Sequence, residues 1–137
     1  PQIARDIGAP MVHLGQEDFF DATISPAPGQ AFGLSSHAPE QAVRAIAAGP
    51  AYIAIGPVYA TPTKASAKPV TLEYVRWAAA NVRIPWFAIG GITLHNLGDV
   101  LAAGAPRICV VSAILNSPDI RRACQEFKRR LSFAPLQ

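Results

Sequence analysis

The sequence predicts an α/β protein built on a parallel sheet. Short runs of four to six mostly apolar residues recur along the chain, and segments with helical periodicity separate them. Runs that are apolar at consecutive positions are typical of parallel strands buried on both faces, whereas strands with one wet face alternate. Strands that alternate with helices in sequence form a parallel sheet connected by helical crossovers.

Five runs are expected to form strands. They are Met11–Leu14, Ala31–Leu34, Tyr52–Ile55, Trp86–Ile89 and Ile108–Val111. A complete (β/α)₈ barrel needs roughly 200–250 residues, and this chain has 137. The residues alone leave two architectures open, which are five units of such a barrel and an open doubly wound sheet. The first residue is Pro1 inside a helix-like segment, so we expect a fragment that forms one domain over residues 1–137.

Capping signals place the helices between these runs. Pro39 and Gly49 frame one helix, with proline near its start and glycine past its end. A second helix is predicted over Leu72–Ala80, and Thr93 is an N-cap candidate for a third over Leu94–Ala103. The last helix opens at Ser117-Pro118-Asp119 and places Ile120, Cys124, Phe127 and Leu131 on one stripe.

Composition excludes several classes of protein. Half of the residues are hydrophobic and 15% are charged, which is the balance of a folded core rather than a disordered chain. The net charge of +3 comes from scattered Lys and Arg, which argues against a nucleic-acid partner. Cys109 and Cys124 form no C-x-x-C pair, so reduced thiols in a cytoplasmic protein are expected. No apolar stretch approaches the ~20 residues of a membrane span.

Polar and small residues gather where the last two strands end. Gly90-Gly91 follows the fourth run and lets the backbone come close to a ligand, and Ser112 follows the fifth and adds a hydroxyl. Barrel enzymes often bind phosphate in the loops after their final two strands. The alternative is an ordinary tight strand-to-helix turn, in which glycine is also common.

The other strand ends carry donors, a cation and a carboxylate. Thr61-x-Thr63-Lys64 offers two hydroxyls and an ammonium that could bind a phosphate. The alternative is a polar surface loop with a solvated lysine. Asp18 is a candidate Mg²⁺ ligand, or an exposed acid at a helix start. Ser35 is a hydrogen-bond donor at a strand end, and the role of His37 stays open between helix capping and the site. His13 and His95 lack metal-ligand spacing and are interpreted as structural or exposed.

Taken in order, these strand ends resemble the thiamine-phosphate synthase family. The matching stretches are VHLGQED (12–18), GLSSH (33–37), YIAIGPVYATPTK (52–64), IGGITLHN (89–96) and VVSAI (110–114). The resemblance implies a (β/α)₈ barrel of which this chain supplies strands 4 to 8. It also implies a transferase of thiamine biosynthesis. That reaction couples a hydroxymethylpyrimidine diphosphate to a carboxythiazole phosphate and yields thiamine phosphate, pyrophosphate and CO₂.

The resemblance also implies roles for individual residues. Asp18 would be one of two Mg²⁺ ligands, and the catalytic pair Ser35 and Lys64 would contact the pyrimidine diphosphate. The thiazole phosphate would be held by Thr61, Pro62, Thr63, Gly91, Val111 and Ser112. One departure stands out, because Thr71 occupies a position where the family usually has Gly. We therefore expect the closed geometry of the Lys64 loop to be affected.

Two alternatives remain at this point. A thiazole tautomerase shares the fold and has a histidine at the position of His37, but it needs neither Asp18 nor the whole Thr-x-Thr-Lys loop. A non-catalytic phosphate-binding half-barrel is the second. An open sheet edge at Met11–Leu14 would then pair with a second copy or with a separate N-terminal half.

Overall fold

The sheet is parallel throughout and wound in one direction. The computed structural model describes residues 2–22, 24–61 and 68–132. Its strands are β1 (Met11–Leu14), β2 (Ala31–Ser36), β3 (Tyr52–Ile55), β4 (Trp86–Ile89) and β5 (Ile108–Cys109). Their order in the sheet is β1-β2-β3-β4-β5, with every neighbouring pair parallel. A doubly wound sheet reverses its strand order at a switch point. The uninterrupted order is instead that of consecutive strands in a (β/α) barrel, which confirms the α/β barrel-type prediction.

Helices alternate with these strands. They are α1 (Gln2–Asp6), α2 (Gln16–Phe20), α3 (Pro39–Ala47), α4 (Thr71–Asn81), α5 (Leu97–Ala102), α6 (Ser112–Leu115) and α7 (Ile120–Ser132). Within the described ranges, no helix has the length and apolarity that crossing a bilayer would require.

The third predicted helix begins later than its sequence indicates. Helix α5 starts at Leu97 rather than Leu94. The Thr93 N–H donates to Asn96 Oδ1 at 2.8 Å, and the Asn96 N–H donates to Thr93 Oγ1 at 3.4 Å. These side-chain bonds hold 93–96 as a turn, because short polar side chains compete with helical hydrogen bonds. The ends of two strands also differ, since β2 runs on to Ser36 and β5 stops at Cys109.

The apolar stripe of α7 is offset from the predicted one. Phe127 is buried as expected, but Ala123 is the other buried residue and Ile120 is 49% exposed. Ala123 and Phe127 are four positions apart and lie on one helix face. The predicted stripe was therefore wrong at its first position.

The two faces of the sheet have different neighbours. One face carries Leu34, Ser36, Ile53 and Ile55, all fully buried in the main core. Successive side chains of a strand point to opposite faces. Ser35 and Ala54, paired in register, therefore lie on the other face. That face lines the cavity described next, and we refer to it as the concave face.

Candidate active site

A cavity opens where the carboxyl ends of the strands meet. Its volume is about 300 Å³. Its walls come from the ends of β2, β3, β4 and β5 and from the loops that follow them. The lining residues include Ser35, His37, Ala54, Gly56, Thr61, Gly90, Gly91, Cys109, Val111 and Ser112. This end of a parallel sheet is where α/β proteins place their ligand sites.

Most of the predicted phosphate-site residues come together in this cavity. Ser35, Thr61, Gly91, Val111 and Ser112 all line it, although they come from four separate stretches of the chain. The predicted site residues Pro62, Thr63 and Lys64 lie outside the residues that the structure describes.

Two glycines shape the floor of the cavity. Gly90 and Gly91 have φ values of +98° and +63°, a region that L side chains rarely adopt. A Cβ atom on Gly91 would lie 2.6 Å from the carbonyl oxygen of Ala60 and 2.7 Å from Tyr59 Cβ. The Gly91 carbonyl accepts a hydrogen bond from Asn96 Nδ2 at 3.0 Å. Conformation and close approach both require glycine at position 91.

His37 contacts both the start of helix α3 and the cavity. Its backbone N–H donates to Gln41 Oε1 at 2.8 Å, next to the start of α3. Its ring lines the cavity, and Nδ1 hydrogen-bonds the Gly56 carbonyl oxygen. A carbonyl oxygen only accepts, so Nδ1 carries the proton. In the neutral ring Nε2 is then an acceptor.

His13 is the functional candidate that sequence reasoning missed. Its Nε2 lies 2.9 Å from Ser35 Oγ, and its Nδ1 lies 2.9 Å from the Tyr52 hydroxyl. His13 is exposed at the edge strand β1, but the partial burial of its ring against its neighbours lowers the pKa of His13, so the neutral form predominates near pH 7. Burial, with the nearby Cys109 thiol, raises the pKa of Tyr52, so its hydroxyl keeps its proton. The three residues come from three different strands, so no sequence motif could reveal them before the register was known.

Gln16 ties the first motif to the second. It is buried, and its Nε2 donates to the Ser35 carbonyl oxygen at 2.6 Å. Its Oε1 accepts from Arg44 Nη2 at 2.8 Å, and the Arg44 guanidinium lies 4.0 Å from the centre of the Phe20 ring. This network holds α2 against the end of β2, beside Ser35.

Asp18 lies outside the cavity lining. It is exposed in the first turn of α2, and its Oδ2 accepts the Gly15 N–H at 3.2 Å. Among the described residues, no three His, Cys, Asp or Glu side chains cluster as a metal site would require. Mg²⁺ is commonly held by one or two carboxylates together with phosphate oxygens and water. The role of Asp18 as one such carboxylate ligand stays a prediction.

These features define a class of protein. The chain is a barrel-type α/β protein with a ligand cavity at the carboxyl ends of its parallel strands. Within that class it belongs to the thiamine monophosphate synthase family, whose sequence model matches residues 1–114. The resemblance drawn from the ordered motifs is thereby confirmed.

Individual relatives agree with the family assignment. The thiamine-phosphate synthase of Thermus thermophilus is 49% identical over 96% of this chain and 64% of its own length. That of Synechocystis is 45% identical over 95% of this chain and 38% of its own length. The solved thiamine phosphate pyrophosphorylase of Pyrococcus furiosus aligns with a TM-score of 0.80 at 31% identity. It covers 96% of this chain and 63% of that one. The chain thus spans less than two thirds of these relatives.

A more distant structure shares the fold alone. The 3-hexulose-6-phosphate synthase of Salmonella typhimurium is 18% identical, with a TM-score of 0.69 over 98% of this chain and 67% of that one. The same winding of strands and helices therefore occurs in a protein of different printed activity.

Proposed function

We propose that this chain is the phosphate-handling portion of a thiamine-phosphate synthase, formed by the last five strands of its barrel. The reaction joins a pyrimidine diphosphate to a carboxythiazole phosphate and releases pyrophosphate and CO₂. The observation that carries the proposal is the meeting of Ser35, Thr61, Gly91 and Ser112 around one cavity. The reaction itself is inferred from membership of the family.

The chemistry would proceed by dissociation. The bond between the pyrimidine methylene and the diphosphate oxygen breaks, and its electron pair leaves with the diphosphate. The lone pair of the thiazole nitrogen then forms the new C–N bond. Loss of CO₂ leaves an electron pair at the ring carbon, which takes up a proton. No protein nucleophile is needed, so the residues of the chain act by positioning and by stabilising charge.

We assign the residues as follows. Ser35 and Lys64 would hold the diphosphate, with Lys64 supplying positive charge to the leaving group. Gly91, Val111 and Ser112 would hold the thiazole phosphate together with Thr61, Pro62 and Thr63. Mg²⁺ bound by Asp18 and by diphosphate oxygens would supply further neutralisation of the leaving group. Free thiols at Cys109 and Cys124 agree with a reducing, cytoplasmic location.

The test uses a complete barrel. In a chimera, this chain replaces the matched segment of the Thermus thermophilus enzyme. Lys64→Ala should lower the coupling rate by roughly 100-fold or more, as loss of a charge-stabilising group does. Lys68→Ala is the matched control, because Lys68 is an exposed lysine four residues further along the chain, and it should stay within about twofold. Equal rates for the two variants would remove Lys64 from the mechanism. Turnover by the isolated chain would instead refute the view that the rest of the barrel is needed.

One observation favours a second candidate, thiazole tautomerase. The Gly56 carbonyl fixes the Nδ1 proton of His37 and leaves Nε2 as a potential base in the cavity that the ring lines. Incubation with thiazole phosphate alone separates the two activities. Isomerisation that His37→Gln abolishes would support the tautomerase. Coupling without isomerisation would support the synthase.

A further inference from the structure

The concave face contains a gap at Gly33 that a neighbouring side chain fills. Gly33 is buried in β2 and is not among the glycines with positive φ, so its backbone does not call for glycine. A Cβ atom there would overlap the far end of the Tyr52 ring, whose Cε2 would lie only 2.7 Å away. Glycine at position 33 therefore lets the Tyr52 ring cross β2.

Crossing β2 brings the Tyr52 ring to His13 on β1. The two rings stack with centroids 5.5 Å apart and an angle of 24° between their planes. The hydroxyl then lies 2.9 Å from His13 Nδ1, and His13 Nε2 lies 2.9 Å from Ser35 Oγ. A continuous line of hydrogen bonds thus runs from β3 to β1 and back to β2, where it reaches the cavity at Ser35.

The direction of this line follows from donor and acceptor chemistry. A neutral imidazole has one N–H and one acceptor nitrogen. If Nδ1 held the proton, Tyr52 would have to accept it, and the Tyr52 O–H would then find no acceptor among the described residues. If Nε2 holds the proton, Tyr52 donates to Nδ1 and Nε2 donates to Ser35 Oγ. Every polar hydrogen within the line is then used, and the Ser35 proton is left for the cavity.

We propose that Tyr52 and His13 are positioning residues that turn Ser35 into a hydrogen-bond donor aimed at a phosphate oxygen in the cavity. The Tyr52 O–H donates to His13 Nδ1, the His13 Nε2–H donates to Ser35 Oγ, and the Ser35 O–H donates to the ligand. Because a phosphate oxygen only accepts, a serine held in this state is suited to it. The identity of the ligand rests on the proposed function, whereas the direction of the line does not.

The first experiment reads the His13 ring directly in the ligand-free chain. Protonated and unprotonated ring nitrogens differ in ¹⁵N shift, and His13→Gln assigns the signals. We expect the Nε2–H form, with an Nδ1 shift typical of a hydrogen-bonded acceptor. Tyr52→Phe and Gly33→Ala should both move the Nδ1 shift towards the value of an unbonded nitrogen. A dominant Nδ1–H form would overturn the proposed direction.

Tyr74→Phe is the matched control. It too removes one tyrosine hydroxyl bonded to a serine, since the Tyr74 hydroxyl shares its proton between Ser36 Oγ at 2.9 Å and the Ala38 carbonyl oxygen at 2.8 Å. That contact lies on the opposite face of the sheet, among the helices. Tyr74→Phe should lower the melting temperature and leave the His13 signals in place. If it shifts the His13 signals as far as Tyr52→Phe does, the changes report general loosening and the proposal fails.

The second experiment measures binding of inorganic pyrophosphate by calorimetry to the complete-barrel chimera described under the proposed function. Loss of one hydrogen bond should weaken binding roughly tenfold for Ser35→Ala and about threefold for Tyr52→Phe. Because Tyr52 acts through Ser35, the double variant should bind no more weakly than Ser35→Ala alone. Independent, additive effects would contradict the proposal that Tyr52 acts through Ser35. If pyrophosphate binds to neither wild type nor variants while the His13 signals behave as expected, the proposed phosphate ligand and function fail. The direction of the line of hydrogen bonds then still stands.

Discussion

Replacing Thr71 by glycine should stabilise this protein. Thr71 has a φ of +63° and is the one non-glycine residue with positive φ among the described residues. That conformation costs an ordinary L-residue roughly 1–2 kcal/mol, and β-branched residues are the least suited to it. The resemblance to the family implies glycine at this position, and the backbone strain at Thr71 gives a physical reason why glycine would be preferred there.

The threonine hydroxyl offsets part of this strain. Val70 precedes α4 and makes no capping hydrogen bond, but Thr71 Oγ1 accepts the Glu73 N–H at 3.3 Å, which is the hydrogen bond that an N-cap side chain makes to the residue two positions on. Replacement by alanine keeps the strain and loses the cap, at a cost of about 1 kcal/mol. Replacement by glycine loses only a few tenths of a kcal/mol of capping and releases the roughly 1–2 kcal/mol of strain. The glycine variant should therefore be more stable than wild type by about 1 kcal/mol.

The assay is thermal unfolding followed by circular dichroism. In a domain of this size 1 kcal/mol corresponds to about 4 °C. Thr71→Gly should melt about 4 °C above wild type and Thr71→Ala about 4 °C below it. Thr71→Asn should follow glycine, because asparagine both caps and tolerates positive φ.

Position 73 supplies the control for the glycine effect. Glu73 lies in the first turn of α4, where glycine should be less stable than alanine by up to about 1 kcal/mol. The order of the two residues is therefore opposite at positions 71 and 73. If glycine ranks below alanine at both positions, the left-handed turn at Thr71 does not exist in solution.

Two further predictions concern Gly91, with Gly98 as its control, and the surface carboxylate of Glu126. Gly91→Ala should cost at least 1–3 kcal/mol from its backbone alone, whereas Gly98→Ala, in open space on α5, should gain about 0.5–1 kcal/mol. Equal melting temperatures would contradict this. Hydrogen bonds from Arg129 and Arg130 lower the pKa of Glu126 from 4.5 to about 2. Its stabilising effect is thus complete above pH 4.5 and lost towards pH 2. Glu126→Gln should flatten melting temperature against pH in that window at low salt, and an unchanged curve would refute the pairing.

The strands were predictable because burial on both faces leaves a plain signal. Tyr52–Ile55 and Trp86–Ile89 have the predicted bounds in the structure, since a parallel strand between helices must be apolar at consecutive positions. Helix α5 was predicted three residues too early, because Thr93 and Asn96 bond each other's backbone before the helix begins. The short helices α2 and α6 were missed, because four or five residues are too few to show a period.

The cavity residues were predictable in part, and the adjacent serines of β2 show where the limit lies. Ser35 and Ser36 are chemically identical neighbours, and strand geometry sends them to opposite faces. Ser36 Oγ is fully buried, donates to the Ala54 carbonyl oxygen at 2.9 Å and accepts from Tyr74, so it belongs to the packing of the sheet against its helices. Ser35 faces the cavity and takes its partner from β1, through His13.

Nothing in the order of residues distinguishes these two serines until the strand's phase and its neighbours are known. The ordered motifs indicated that a serine at this strand end matters. The pairing of His13 with Gly33, and of Gly33 with Tyr52, determines which atoms surround it. The proton arrangement at Ser35 therefore depends on contacts across three strands, and a prediction from local sequence has no access to it.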